Sequence, residues 1–458
     1  MDAHYGCPYS SIEKIITIMA QYKLSRFVHL FQRNGEMILY HSLKMQSVCV
    51  NGCEMNMEDR WIDLEPGMEL YLQLTEQGFI SSDEDDDALL ESCREEIREP
   101  YISTAYFFLT KNCNLACKYC FEKQSEVENS SEGIMSAETF DRGLDFFIRM
   151  INLDKSRFDE RKSIIFYGGE PFHNKVVLYH AIERITDYIA KGMLPARTKM
   201  LVVTNGTLLK DDDIDFIRRH DVTVTFSLDG DREASVNRVF PDFKTLAWEL
   251  ATKNFRKCKK AGIDLNVACT LTPQTVARKA EVLDYFINTA EATNIGFNVI
   301  IDNDIIQLDS DYDDAAAEFV SSAYFDLTKH NITENRTGRR LQVFERKHPC
   351  LFDCNAAGGR QIAVAPDGAV GICHEHIMDK KHFITNIYDE TFNPVHSIVY
   401  KEWQKRSPLY MPECYDCPAL GICGGGCVIN TERKFGTIDK PDPRFCKQTL
   451  SILENILL

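Results

Sequence analysis

Cys113-Asn-Leu-Ala-Cys117-Lys-Tyr-Cys120 gathers three thiols within eight residues, directly after an apolar run from Tyr101 to Thr110. Thiolates are soft ligands that select zinc or iron–sulfur groups. A closed structural zinc site needs four protein ligands. A [4Fe–4S] cluster on three cysteines keeps one iron open to an outside ligand. Catalysis needs an open position, so the missing fourth cysteine is the informative feature. Eight more cysteines follow: Cys350, Cys354, Cys373, Cys414, Cys417, Cys423, Cys427 and Cys446. These are enough for two four-cysteine zinc sites or for further iron–sulfur clusters. The remaining six, Cys7, Cys49, Cys53, Cys93, Cys258 and Cys269, read as small buried residues.

The elements that must position the triplet alternate in type from about 100 to 305. Strands are expected over Ile102–Leu109, Ile164–Tyr167, Met200–Thr204, Val222–Leu228, Leu265–Thr272 and Gly296–Ile301. Helices are expected over Ala137–Met150, Lys175–Ile189, Thr245–Ala261 and Val276–Ala290. Six βα units with short connections imply a parallel sheet with right-handed crossovers. Function then belongs at the C-terminal ends of the strands. The notable motifs fall there: Gly168-Gly169-Glu170-Pro171, Thr204-Asn205-Gly206-Thr207 and Ser227-Leu228-Asp229-Gly230. Taken alone, each is an ordinary strand-closing turn. Glycines also let a backbone approach a ligand closely.

The triplet, with an aromatic before its third cysteine, and these strand-end motifs together resemble the radical S-adenosylmethionine (radical SAM) enzymes. The resemblance implies an α/β fold whose core, residues 96–310, is a partial (β/α)6 barrel. It implies a [4Fe–4S] cluster on Cys113, Cys117 and Cys120 whose open iron chelates SAM and cleaves it to a 5′-deoxyadenosyl radical. Gly168, Gly169, Glu170 and Pro171 would face the methionyl ammonium. Asn205 and Ser227 would also touch SAM, Arg238 would pair with its carboxylate, and Tyr119 would pack near the adenine. Guanidinium binds carboxylate in a bidentate way, which suits that role for Arg238.

The run Cys350-x3-Cys354-x13-Gly368-x4-Cys373, Cys414-x2-Cys417-x5-Cys423-x3-Cys427, Cys446 is similar to the SPASM domain, placed here at 347–458. That resemblance implies two auxiliary [4Fe–4S] clusters, three clusters in all. One takes Cys354, Cys373 and Cys427 with Cys350 as the fourth ligand or with an open iron. The other takes Cys414, Cys417, Cys423 and Cys446. In sulfatase-maturing relatives an aspartate follows the cysteine matching Cys373 and serves as base; here the residue is His374. His374 and His376 read as loop residues around the cysteines.

Residues 1–95 look like a separate unit. Arg26–Arg33 and Glu36–Ser42 form a hairpin around Asn34-Gly35, Met45–Val50 adds a strand, and a helix over Met68–Gln77 ends at Gly78. Ser81 to Asp87 is a charge run that reads as a solvated linker, and Ile12–Gln21 as an amphipathic helix. The unit resembles the winged-helix-like, PqqD-related recognition element that pairs a precursor-peptide leader against a sheet edge. Residues 311–346 are left as a bridge.

The chain has 458 residues, 44% hydrophobic and 26% charged, enough for two or three domains. Its formal charge of −17 argues against nucleic acid as a partner. No apolar run is long enough to span a membrane, and no secretion signal is evident, so a cytoplasmic location with reduced thiols is expected. The resemblance as a whole implies a peptide maturase. It docks a ribosomal precursor peptide through residues 25–80, takes electrons from a flavodoxin or ferredoxin, and forms a cysteine thioether. Carbon–carbon or carbon–oxygen linking and formylglycine formation are alternatives. A zinc-stabilised, non-enzymatic peptide-binding protein is the reading of a different class.

Overall fold

The computed structural model describes residues 19–120, 133–300, 305–377 and 380–457. The helix expected over Ile12–Gln21 lies mostly outside these residues, and its end is instead a strand. The N-terminal part holds β1 (Ala20–Lys23), β2 (Val28–Arg33), β3 (Glu36–His41), β4 (Gln46–Cys49), β5 (Met55–Asn56) and β6 (Trp61–Leu64). They make two small antiparallel sheets, ordered β1-β6-β5 and β2-β3-β4. Asn34 and Gly35, at φ +50° and +86°, close the expected hairpin, with Arg33 opposite Glu36. The helix Glu69–Glu76 follows and ends before Gly78, at φ +73°.

The acidic run corrects the sequence reading. It is no linker: it opens the helix Asp83–Glu95. Ser82 caps that helix by accepting from the Asp85 N–H, and four carboxylates occupy its first turn, where the helix dipole favours negative charge. Asp86 is buried and accepts from Ser25 Oγ at 2.7 Å and from the Arg26 N–H at 2.8 Å. The run therefore anchors the N-terminal sheets.

Strands β7 (Thr104–Thr110), β8 (Ser163–Gly168), β9 (Lys199–Thr204), β10 (Thr223–Ser227), β11 (Leu265–Leu271) and β12 (Asn294–Val299) lie parallel in sequence order. Each begins and ends within two residues of its expected limits. Their largely buried, β-branched and aromatic runs are those of strands covered on both faces. Helices Ala137–Ile151, Lys175–Ala190 and Trp248–Lys260 cover them. The helix expected over Val276–Ala290 is broken into Pro273–Ala277, Lys279–Asp284 and a π-helical turn, Tyr285–Thr289. The first break falls at Arg278, whose guanidinium is drawn to Asp231 at 2.6 Å.

The sheet does not stop at residue 310. β13 (Thr333–Glu334) joins β12, and β14 (Gln361–Val364) pairs parallel with β7 on the other edge. β15 (Ala369–Gly371) and β16 (Phe383–Asn386) extend it antiparallel. The result is one open sheet of ten strands. The N-terminal sheets are not free-standing either. Tyr40 and Met45 pack with Ala419, Ile422 and Leu453, while Phe27 and Leu43 pack with Leu409 and Leu420.

That junction is tight: a Cβ on Gly421 would lie 2.3 Å from the Ser42 carbonyl oxygen. Gly421→Ala is therefore expected to lower stability by about 1–3 kcal/mol, the usual cost of overpacking. Denaturant unfolding measures it, and an unchanged midpoint would show that the junction yields.

Candidate functional site

A cavity of about 870 Å³ is lined from all six parallel strands, by Tyr106, Tyr167, Val203, Ser227, Thr270 and Phe297 among others. Cys113, Cys117 and Cys120 line it where β7 ends. Cys354, Cys373 and Cys427 line it too, and they belong at the opposite end. Asn355, next to Cys354, donates to Thr104 Oγ1 at 3.1 Å, at the start of β7. β15 runs back toward the same level before Cys373. Seven residues of β7, roughly 20 Å of strand, separate the two levels. The sequence reading placed function at the C-terminal strand ends only; the structure brings cysteines to both.

At the C-terminal end, Gly168 (φ +139°) and Gly169 leave no room for side chains. Cβ atoms there would lie 2.3 Å from the Thr110 oxygen and 2.4 Å from the Asn112 oxygen. Both glycines line the cavity. Glu170 turns beneath it, fully buried, accepting from Thr204 Oγ1 (2.7 Å), the Asn205 N–H (2.7 Å) and the Phe172 N–H (3.2 Å). Its carboxylate positions the next strand end, and Pro171 opens the short helix behind it. Asn205 donates to Asn114 Oδ1 at 3.0 Å and toward Cys113 Sγ at 3.8 Å, holding the cysteine loop from the side.

Ser227 and Arg238 line the cavity, and Arg238 is 8% exposed. Arg238 Nη1 donates to Tyr119 Oη at 2.5 Å, and Tyr119 donates to Asp229 Oδ2 at 2.5 Å. Asp229 also accepts from the Thr270 N–H at 3.0 Å. Burial pushes the Asp229 carboxyl up, opposed by Arg238. The backbone N–H groups of Ala116 and Lys118 donate to Val239 and Asn237, so the loop of three cysteines is laced to the Arg238 segment. Asp229 stands in the quoted Ser-Leu-Asp-Gly motif, yet its tie to Tyr119 has no local sequence signal.

At the other end, burial pushes the Cys373 thiol well up, and the charges of Cys427 and Cys354 add to that. Cys446 is likewise pushed up by burial and by Cys423, Cys414 and Cys417, and Cys414 to about 12 by burial, Cys423 and Cys417. Two groups result, 354/373/427 and 414/417/423/446. Of these seven, Cys373 is buried, Cys354 is exposed and the others are half-buried. Thiols that resist ionisation together are the donor set a multiply charged metal group would balance. Cys350 stands apart: its Sγ donates to the Phe352 carbonyl at 3.5 Å, and the cysteine acting on it is Cys423. Burial pushes it up to about 11.

Three features of this end escaped the sequence reading. His374 lines the cavity and stacks on Tyr106, with centroids 4.4 Å apart and planes at 7°. The bridge of residues 311–346 supplies Arg336 and Arg339 to the lining from the helix Asn335–Arg346. Arg339 and Arg340 grip the buried Asp353 at 2.6 Å and 3.0 Å, beside Cys354. Gly424-Gly425-Gly426, all at positive φ, thread between Cys423 and Cys427; a Cβ on Gly424 would lie 2.5 Å from the Asp353 nitrogen. Only the glycine run was visible as a signal. His376 and His382 both donate from Nε2 to Glu432 Oε2 at 3.1 Å, tying the loop after Cys373 to the helix after Cys427.

The model of the radical SAM superfamily matches residues 107–286. Those residues are a radical SAM domain. The chain is 23% identical over 375 residues to the radical SAM cyclopropyl synthase TigE of Paramaledivibacter caminithermalis, covering 75% of this chain and 72% of that one. Among solved structures, anSMEcpe with bound AdoMet and Cp18Cys peptide shares the fold. Its TM-score is 0.64 at 20% identity, over 77% of this chain and 96% of that one. Streptococcus suis SuiB bound to precursor peptide SuiA aligns with a TM-score of 0.50 at 14% identity, over 93% of this chain and 99% of that one. With the radical SAM domain in place, the chain is an enzyme. No helix among the described residues is long and apolar enough to cross a membrane.

Burial raises the Glu170 carboxyl from its ordinary 4.5 to about 6, against the three hydrogen bonds that favour its charge. A raised folded value means that the folded protein holds the proton more tightly. Its contribution to stability is full below pH 4.5 and is lost as the pH rises through about 6. Between pH 4.5 and 7, wild type should therefore lose about 2 kcal/mol more than Glu170→Gln in denaturant titrations. Parallel pH profiles would remove the basis for a buried, titrating Glu170.

Proposed function

We propose that the protein is a peptide maturase that forms an intramolecular cross-link, a cysteine thioether, in a ribosomal precursor peptide. The observation carrying this reading is one cavity with Cys113, Cys117 and Cys120 at one end and Cys354, Cys373 and Cys427 at the other. The first three would hold a [4Fe–4S] cluster with SAM, the second three an auxiliary cluster, and Cys414, Cys417, Cys423 and Cys446 a second one. When bound, these groups supply a 5′-deoxyadenosyl radical that takes a hydrogen from carbon, a position for a substrate thiolate, and a path for the leftover electron. Cys350, directed at Phe352, is read as outside the cavity set.

The side chains prepare that chemistry. Arg238 would pair with the SAM carboxylate while Tyr119 and Asp229 hold its guanidinium in place. Gly168 and Gly169 leave backbone open to the ammonium, and Glu170 keeps Asn205 against the cysteine loop. Tyr106, Tyr167 and His374 wall the middle of the cavity with ring faces, which excludes water from a reactive carbon. The peptide's leader would dock on residues 25–80 and its core enter the cavity. Both solved relatives named above hold a peptide. The domains are then a recognition element (1–95), radical SAM core (96–310), bridge (311–346) and SPASM domain (347–458), with flavodoxin or ferredoxin as electron donor. Carbon–carbon linking is the second reading, favoured by the likeness to a cyclopropyl synthase. His374 in place of an aspartate weighs against formylglycine formation.

Replacing Cys113, Cys117 and Cys120 by alanine should abolish SAM cleavage, and Arg238→Ala should weaken SAM binding roughly tenfold to a hundredfold, the value of a lost charged hydrogen bond. Persistent cleavage, or zinc in place of iron and sulfide, would refute the assignment. The reaction itself is tested by co-expression with a candidate cysteine-bearing precursor peptide and mass spectrometry. Loss of two hydrogens together with loss of an alkylatable thiol is expected; the same mass loss with the thiol intact would overturn the thioether, and fragmentation that places the loss between two carbons would establish the carbon–carbon reading instead.

A further inference from the structure

β3, the central strand of the N-terminal sheet, ends against the segment that carries Cys417, and two hydroxyls are stranded there. Tyr40 and Ser42 are fully buried, and among the described residues neither Tyr40 Oη nor Ser42 Oγ has a hydrogen-bond partner. Ser42 opens the turn that follows β3. Both residues meet the C-terminal region: Tyr40 packs with Ala419, Ile422 and Cys417, and the Ser42 carbonyl abuts Gly421. The Tyr40 ring is fixed elsewhere by Phe31, edge-on with centroids 6.0 Å apart, and by Phe344, stacked at 6.1 Å. Rotation toward another partner is therefore blocked by packing.

Leaving a buried hydroxyl unpaired costs about 1–3 kcal/mol, and native proteins rarely do so. The apolar neighbours of Tyr40 offer no acceptor. The polar group packed against the same cluster is Cys417. A phenol keeps its proton near neutral pH and is a donor to an electron-rich acceptor.

We propose that Tyr40 Oη donates a hydrogen bond to the iron–sulfur group held by Cys414, Cys417, Cys423 and Cys446, so that the N-terminal module helps set its reduction potential. The proposal rests on the cluster assignment given above. A donor to cluster sulfur stabilises the reduced, more negative state and raises the potential. The strand that supplies the donor belongs to the sheet expected to bind the peptide leader. Peptide docking and electron acceptance then meet on β3.

The test is a redox titration monitored by electron paramagnetic resonance on the full-length, cluster-loaded protein. It compares wild type, Tyr40→Phe and, as a packing control without a donor, Phe31→Leu. With iron and sulfide per chain unchanged, one auxiliary midpoint should move to lower potential in Tyr40→Phe and stay in place in Phe31→Leu. Loss of one cluster's iron in Tyr40→Phe alone would support the same donor role. Unchanged midpoints at full iron content, or an equal shift or loss in Phe31→Leu, would overturn it. Cys414→Ala and Cys446→Ala separate the two levels: iron and sulfide undiminished in both would overturn the cluster assignment itself.

Discussion

Parallel pairing of Gln361–Val364 with Thr104–Phe107 ties the C-terminal cysteine region to the strand that launches the first three cysteines. Without that ladder, the 350–427 region would be an appendage at the end of the chain. With it, β14 to β16 continue the same sheet, and the curl of the six parallel strands is shared by cysteines at both of its ends. Ladder hydrogen bonds fix register as well as adjacency. The separation between the two cysteine groups is therefore set by strand length rather than by flexible loops.

Charge is the second organising constraint. Arg339 and Arg340 pair with the buried Asp353 beside Cys354, and the charge of Arg336 acts on the same carboxylate. Three guanidinium groups acting on one carboxylate leave a positive excess beside Cys354, which would match the negative charge of thiolates there. Glu334, itself fully buried, accepts from the N–H groups of Arg336 and Thr337 and so sets the start of the helix that presents these arginines. At the opposite end a single arginine, Arg238, is fixed by Tyr119 and Asp229. Each end thus has cations held in place before any ligand arrives, the arrangement that lowers reorganisation on binding.

The N-terminal sheets contribute through contact as well as through an exposed edge. Asp86 fastens them to the helix Asp83–Glu95, and Tyr40, Met45 and Leu43 bury themselves against the 409–422 segment. Gly421 allows the two backbones to approach without a side chain between them. A module packed this closely on a cysteine group has a physical route for influencing it.

Much of the fold was legible because its signals are local. Apolar alternation located the six parallel strands, Asn34-Gly35 located the hairpin, and Cys113-x3-Cys117-x2-Cys120 pointed to one wall of the cavity. Local rules also misled: Ser81 to Asp87 looked like a linker, and while Asp83, Glu84, Asp85 and Asp87 do face solvent, Ser82 at a helix start and the partners of Asp86 made the run an anchor. His374, Asp229 and the arginines of the helix Asn335–Arg346 carried no pattern that marks a cavity wall. By itself the sequence determined the cysteines, their spacing and the strands that bear them, since these depend on neighbours along the chain. Only the tertiary structure decided which cysteines share a volume and at which end of the sheet. Those placements rest on contacts such as Asn355 with Thr104, 251 residues apart, where nothing in either segment announces its partner.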